Sequence, residues 1–132
     1  MKISRSTQYG LIAVSYIAQH YKDGLVMAER ISSPYNLPLE YLLKILQQLV
    51  RANILTSKRG PRGGFSMARP PEKVTLLEVV EAIEGPVVTD LHLAEQTGNE
   101  PFSIRIEQIC REAAEKVKGI YGKLKLSDML KD

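Results

Sequence analysis

Residues 37–67 read LPLEYLLKILQQLVRANILTSKRGPRGGFSM, and two periodicities meet within them. From Leu39 the apolar residues fall at Leu39, Leu42, Leu43, Leu46, Leu49 and Val50. This three-and-four spacing lays one stripe along a helix, the expected buried side. The other side carries Glu40, Tyr41, Lys44, Gln47, Gln48 and Arg51, hydrogen-bonding side chains with reach towards base edges and phosphates. Pro38 is expected at the first helical position, where a missing N–H costs nothing. After Asn53 the period shortens. Ile54 to Lys58 suits a short strand, Gly60-Pro61-Arg62-Gly63-Gly64 cannot be regular structure, and Phe65 to Ala68 suits a returning strand. The hairpin carries Arg59 and Arg62 near its tip. A phosphate-cradling loop would need a lysine and a hydroxyl residue directly after its last glycine, and Phe65 stands there instead.

Upstream, a helix is expected from about Thr7 to Tyr21, with apolar residues on more than one face, as in a central helix with two neighbours. Lys22-Asp23-Gly24 ends it, and a short helix follows from about Met27 to Ser32, with Ala28 and Ile31 facing inward. Ser33-Pro34-Tyr35-Asn36 turns the chain into the helix of residues 38–52. Two short helices joined by a compact turn, followed by a basic hairpin, make a winged helix-turn-helix. Its second helix is suited to the major groove, and its wing of residues 58–66 to the minor groove. The candidate DNA-binding residues are Pro38, Glu40, Tyr41, Lys44, Gln48, Arg51, Lys58, Arg59 and Arg62. Plainer readings stand beside this one. Wing arginines can simply be solvated, Glu40 can complement the helix dipole, and Arg51 can anchor a phosphate without reading sequence.

Charge supports the polyanion reading. Residues 1–73 hold 11 lysines and arginines against 4 acidic residues, a balance of +7, whereas residues 74–132 hold 7 against 11, a balance of −4. The basic part contains the helix and hairpin, and the overall charge of +3 conceals the split. The 132 residues suffice for one domain with an appended oligomerisation element. The single cysteine, Cys110, excludes an intrachain disulfide framework and agrees with a reducing compartment. With no signal-peptide pattern and no apolar run of membrane-spanning length, a cytoplasmic protein without membrane association is expected.

After the stiff connector Arg69-Pro70-Pro71-Glu72, Thr75 caps a helix with Glu78 at the reciprocal capping-box spacing, and Leu76, Leu77, Val79, Val80 and Ile83 form its buried side. Gly85 and Pro86 stop it. Val87 to Pro101 has no sustained period and reads as a long loop. From Phe102 to Leu124 a helix places Ile106, Cys110, Ala113, Val117, Ile120 and Leu124 at four- and three-residue intervals, a dimerisation seam. Packing on the first helix of the same chain would also account for the pattern. A homodimer is favoured, because one recognition helix and one wing cover only a half-site. Ser127 to Leu130 is a short closing helical turn. The expected fold is thus mainly α with a small β-hairpin. Residues 1–85 form the winged helix-turn-helix domain, 86–101 a loop, and 102–132 the dimerisation helix and a short C-terminal helix.

Met1-Lys2-Ile3-Ser4 with Tyr9-Gly10-Leu11, Pro38-Leu39-Glu40-Tyr41-Leu42, Arg59-Gly60-Pro61-Arg62-Gly63-Gly64-Phe65 and Thr75-Leu76-Leu77-Glu78-Val79 with Glu84-Gly85-Pro86 together resemble the bacterial winged helix-turn-helix regulators typified by IscR, NsrR and CymR. The resemblance spans nearly the whole chain, and the arginine-glycine wing is its most specific part. It implies a homodimeric transcriptional regulator, usually a repressor, whose long C-terminal helix crosses its partner's. By the same analogy Tyr41 and its neighbours enter the major groove, Arg59 enters the minor groove, and the 86–101 loop receives the signal. Many such regulators hold an iron-sulfur cluster on three cysteines around the start of the long helix. Here Val87 to Pro101 contains no cysteine, Ile104 and Glu107 align with the last ligand positions, and Cys110 lies farther along. No iron-sulfur cluster and no other cofactor is therefore expected. The cysteine-free branch typified by CymR is the nearer analogy, with a small-molecule or protein effector. Leu43 stands where some relatives carry a base-reading glutamate, so their operator sequences do not transfer.

Cys110 at a seam position reads as a small buried hydrophobe, with an intersubunit disulfide as the minority alternative. His20 and His92 lack nearby ligand-type partners, so no metal site is assigned. No nucleophile-base pair or nucleotide loop supports an enzyme. The rival from another class is a winged helix that binds an acidic protein partner without sequence-specific DNA binding.

Overall fold

The computed structural model describes residues 3–87 and 90–131. In order these form α1 (Arg5–Gln19), α2 (Glu29–Tyr35), α3 (Leu39–Arg51), β1 (Leu55–Lys58), β2 (Gly64–Met67), a 3-10 turn (Pro71–Lys73), α4 (Leu76–Glu84), α5 (Leu93–Gln96), α6 (Pro101–Lys123) and α7 (Leu126–Met129). The architecture is mainly helical with one two-stranded antiparallel hairpin. Met1 and Lys2 of the opening motif, Val88 and Thr89 of the expected loop, and Asp132 lie outside the described residues.

α1 begins two residues before the predicted start because Ser4 is extended and its hydroxyl accepts the Thr7 amide at 3.2 Å. It runs through the centre, burying Ala13, Val14 and Ile17 against α3, α4 and β2. α2 buries Ile31 and, at its edge, Ala28, and it continues through Pro34 to Tyr35 rather than turning at Ser33. The turn is made by Asn36, at φ 55°, while the Leu37 amide reaches back to the Ser32 carbonyl at 2.9 Å. Pro38 precedes α3 as its N-cap, so the first helical residue is Leu39.

The buried side of α3 is rotated from the predicted one. Leu42, Ile45, Leu46 and Leu49 are buried, Leu39 and Val50 are half-buried, and Leu43 is 37% exposed. Ile45 replaces Leu43 because α3 packs against α1, α4 and β1 together, and that junction faces Ile45. The three-and-four spacing counted Leu43 in the stripe and passed over Ile45.

The wing pairs Leu55 with Met67, Thr56 with Ser66, Ser57 with Phe65 and Lys58 with Gly64. Its base has a third member that the sequence did not announce. Val26 and Phe65 exchange both backbone hydrogen bonds at 2.8 Å, stapling the segment before α2 to β2. Thr75 caps α4 by accepting the Glu78 amide at 3.1 Å, but the reciprocal half of the predicted capping box is absent among the described residues. Arg69 takes the Glu78 carboxylate instead, at 2.9 and 3.4 Å, and also donates to the carbonyls of Asn53 and Lys73. A charge-assisted, two-pronged pair outcompetes a single bond to a backbone amide.

The expected loop before the long helix contains α5, too short for a period to show. The Ala94 amide donates to Glu107 Oε1 at 2.8 Å, and the Thr97 hydroxyl donates to Ser103 at 2.8 Å, so α5 is fastened to the start of α6. α6 packs on α5 and α4. At its end the chain returns to the winged-helix core: the Leu76 amide donates to Leu124 and the Leu126 amide to Val74, both at 2.9 Å. Leu126 is buried in the same cluster as Ile17, Leu46 and Val79.

Candidate nucleic-acid interface

α3 and the wing each present a polar, solvent-facing side. Pro38, Glu40, Tyr41, Lys44, Gln47 and Arg51 are exposed along α3, Gln48 is half-buried, and Lys58, Arg59 and Arg62 are exposed on the hairpin. These side chains project outward because the opposite face of α3 and Leu55, Phe65 and Met67 of the hairpin are committed to the core. The turn at the wing tip closes with the Gly63 amide donating to the Gly60 carbonyl at 2.9 Å, with Gly60 at φ +110°. Glycine is required there by the backbone conformation.

Two cations near the helix-turn-helix are engaged within the protein. Arg69 is spent on Glu78, and Arg30 lies over the Tyr16 ring while donating to its hydroxyl at 3.2 Å. Among the described residues no ion pair or side-chain hydrogen bond engages Lys44, Arg51, Lys58, Arg59 or Arg62. α3 and the wing thus keep exposed positive charge available for a polyanion.

Tyr41 is held from behind. Its hydroxyl shares a hydrogen bond with the Ser6 hydroxyl, and its ring meets Tyr9 edge-on, with centroids 5.7 Å apart and planes at 87°. Ser6, Tyr41, Lys44, Gln47, Gln48 and Arg51 line one shallow cleft. Ser6 and Tyr9 were not candidates from sequence. Their signal was weak: two polar-tipped residues three apart on one helix, with nothing to say which neighbour they face.

The first turn of α1 is itself fastened. Glu84, at the end of α4, accepts from the Ser4 amide at 3.0 Å and from the Thr7 hydroxyl at 2.5 Å. The Ser4 side chain, then the Thr7 hydroxyl and the Ser4 amide hold the Glu84 carboxyl below its ordinary value of 4.5.

The candidate seam residues of α6 separate into two groups. Ile106, Ala113 and Ile120 are exposed, whereas Cys110, Val117 and Leu124 are half-buried. The exposed apolar stripe also includes Phe102 and Ile109, each 59% exposed, with Ile120 at 62%. The rotation follows from α4 and α5, which take the side of α6 carrying Ser103 and Glu107.

Thiolates hold iron-sulfur clusters, and this chain has one cysteine. The other donors around α5 are exposed His92, 3.2 Å from Asp90 and 3.7 Å from Glu95, together with Glu107, which already accepts the Ala94 amide. Among the described residues no three His, Cys, Asp or Glu side chains are grouped to hold a metal ion. This donor set does not fit a cluster within one chain. Among the described residues no helix is long and apolar enough to cross a membrane.

A family model described as iron-dependent transcriptional regulators, Rrf2, matches residues 3–132. A protein of Aquifex aeolicus named as an HTH-type transcriptional regulator is 37% identical over 81 residues, 61% of this chain and 56% of its own length. BadM of Rhodopseudomonas palustris, named likewise, is 33% identical over 99% of this chain and 82% of its own. The chain thus spans little more than half of the first relative and most of the second. Among solved structures, CymR of Bacillus subtilis, the global cysteine regulator, superposes with a TM-score of 0.83 at 25% identity, covering 98% of this chain and 96% of that one.

Proposed function

We propose, from the premise that this chain belongs to the Rrf2 family of transcriptional regulators, that it is a homodimeric, sequence-specific repressor without an iron-sulfur cluster or enzymatic activity. The observation that carries the reading is that Lys44 and Arg51 on α3 and Lys58, Arg59 and Arg62 on the adjoining wing are all exposed and, among the described residues, engaged by no ion pair or side-chain hydrogen bond. In this reading α3 enters the major groove, with Glu40, Tyr41, Lys44 and Gln48 towards base edges and Arg51 on a phosphate. Pro38 lies at the entry of α3, and Lys58, Arg59 and Arg62 reach the minor groove and its flanking phosphates.

Two copies pair through α6, and the exposed stripe Phe102, Ile106, Ile109, Ala113 and Ile120 supports that interface. Cys110, Val117 and Leu124 then back it from the half-buried side. Residues 1–85 bind DNA, 86–101 receive a small-molecule or protein signal, and 102–132 dimerise, with α7 docked on the DNA-binding core. The proposed site of action is the cytoplasm.

The test is to mix purified protein with sheared DNA from its source, add excess nonspecific competitor at moderate salt, and sequence what stays bound. Enrichment of a two-fold symmetric site is expected, with affinity falling as salt rises. No enriched sequence would favour the protein-interaction module and remove the regulator reading from first place.

A further inference from the structure

We infer that Ser6 is a positioning residue for DNA recognition: through its hydrogen bond to the Tyr41 hydroxyl, α1 sets the direction in which α3 presents that tyrosine to the duplex. The inference deepens the regulator reading and rests on it.

Tyr41 lies in the first turn of α3 and is 39% exposed, so its side chain would ordinarily be free to swing. Two contacts from α1 remove that freedom. The edge-on contact with Tyr9 orients the ring, and the Ser6 hydroxyl holds its far end. Ser6 itself does not sit on a fraying end. The Ser4 cap binds the Thr7 amide, and Glu84 of α4 grips both Ser4 and Thr7. The tyrosine is therefore referred through Ser6 to the central helix and to α4, rather than to the surface of α3 alone.

Hydrogen-bond capacity allows Tyr41 to serve both partners. A phenolic hydroxyl has one proton to give and lone pairs to accept with. Phosphate oxygens, purine N7 and carbonyl oxygens of bases only accept, so a bond to any of them requires Tyr41 to donate. Serine can donate to Tyr41 at the same time, giving a run from the Ser6 O–H to the Tyr41 O–H to the acceptor on the duplex. Preorganisation of this kind lowers the cost of ordering the side chain on binding. Alanine at position 6 would leave the tyrosine hydroxyl present but unaimed.

The experiment is a double-mutant cycle on the full chain, using the DNA fragment enriched by the wild-type protein. Dissociation constants are measured by fluorescence anisotropy for wild type, Ser6→Ala, Tyr41→Phe and the double variant, with Ser6→Thr as the conservative rescue. Ser6→Ala and Tyr41→Phe are each expected to weaken binding by about three- to tenfold, the range of one hydrogen bond. The double variant should bind no more weakly than Tyr41→Phe, and Ser6→Thr should bind within about twofold of wild type. Thermal midpoints read in parallel separate aiming from folding, and if Ser6→Ala fails to fold, Ser6→Thr and Tyr41→Phe carry the comparison. Wild-type affinity in Ser6→Ala, losses that add in the double variant, or wild-type affinity in Tyr41→Phe would each overturn the inference. Absence of sequence-selective binding by the wild-type protein would overturn the regulator reading itself and take the inference with it.

Discussion

Replacing Gly64 with alanine should weaken the fold at the base of the wing, and the structure supplies the size of the effect. A Cβ added at Gly64 would stand 2.6 Å from the Val26 carbonyl oxygen and 2.9 Å from its carbon. Both are backbone atoms, so no side chain can swing aside. The same carbonyl accepts the Phe65 amide, while the Val26 amide donates to the Phe65 carbonyl, each at 2.8 Å. Relieving the overlap breaks this bridge, at about 1 kcal/mol for each hydrogen bond. Gly64 also sits at φ +155°, where a side chain adds strain of about 1–3 kcal/mol. The expected loss is about 3–5 kcal/mol, a large part of the roughly 5–15 kcal/mol that holds a domain of this size together. Gly60→Ala is the internal reference, since Gly60 has φ +110° but, beyond its chain neighbours, no atom of the described residues within 4 Å of an added Cβ. It should cost only the strain, about 1–3 kcal/mol. Urea unfolding followed by circular dichroism measures both, and hydrogen exchange at the Val26 amide reports the bridge directly. If Gly64→Ala is as stable as Gly60→Ala, or if the Val26 amide stays protected, the steric reasoning is wrong.

Arg59→Ala should lower affinity for the enriched DNA by about 1–3 kcal/mol if the side chain reads the minor groove, with an unchanged urea midpoint because no ion pair or side-chain hydrogen bond holds it among the described residues; equal affinity in anisotropy titrations removes Arg59 from the interface. Ile109→Asp places a charge in the exposed stripe of α6 and should convert the proposed dimer to a folded monomer in sedimentation velocity, whereas a dimer that persists would refute that stripe as the interface. Glu84 has a carboxyl held below its ordinary value, so its contribution to stability is fully present above about pH 4.5 and is lost as pH falls through the lower, folded value. Glu84→Gln should therefore flatten the acid limb of a plot of thermal midpoint against pH, and an unaltered acid limb would remove the Ser4–Thr7–Glu84 network from the account.

The sequence by itself determined the winged helix-turn-helix, the glycine-arginine wing, the Thr75 cap and the existence of a long C-terminal helix. Each is written locally, in a period, a turn residue or a cap within a few positions of the element it specifies. It also determined the sites where cations concentrate, because charge composition survives any folding. Tertiary structure alone decided which face each helix buries and what each surface residue leans on. Ile45 rather than Leu43 faces the core because three elements meet there. Phe102 and Ile109 join the exposed stripe of α6 because α4 and α5 occupy its other side. Val26 with Phe65, Val74 with Leu126, Ser6 with Tyr41 and Glu84 with Ser4 and Thr7 are pairings across tens of residues. Such contacts leave no period in a chain, because a single hydrogen-bonding residue is compatible with many partners until packing brings one within reach.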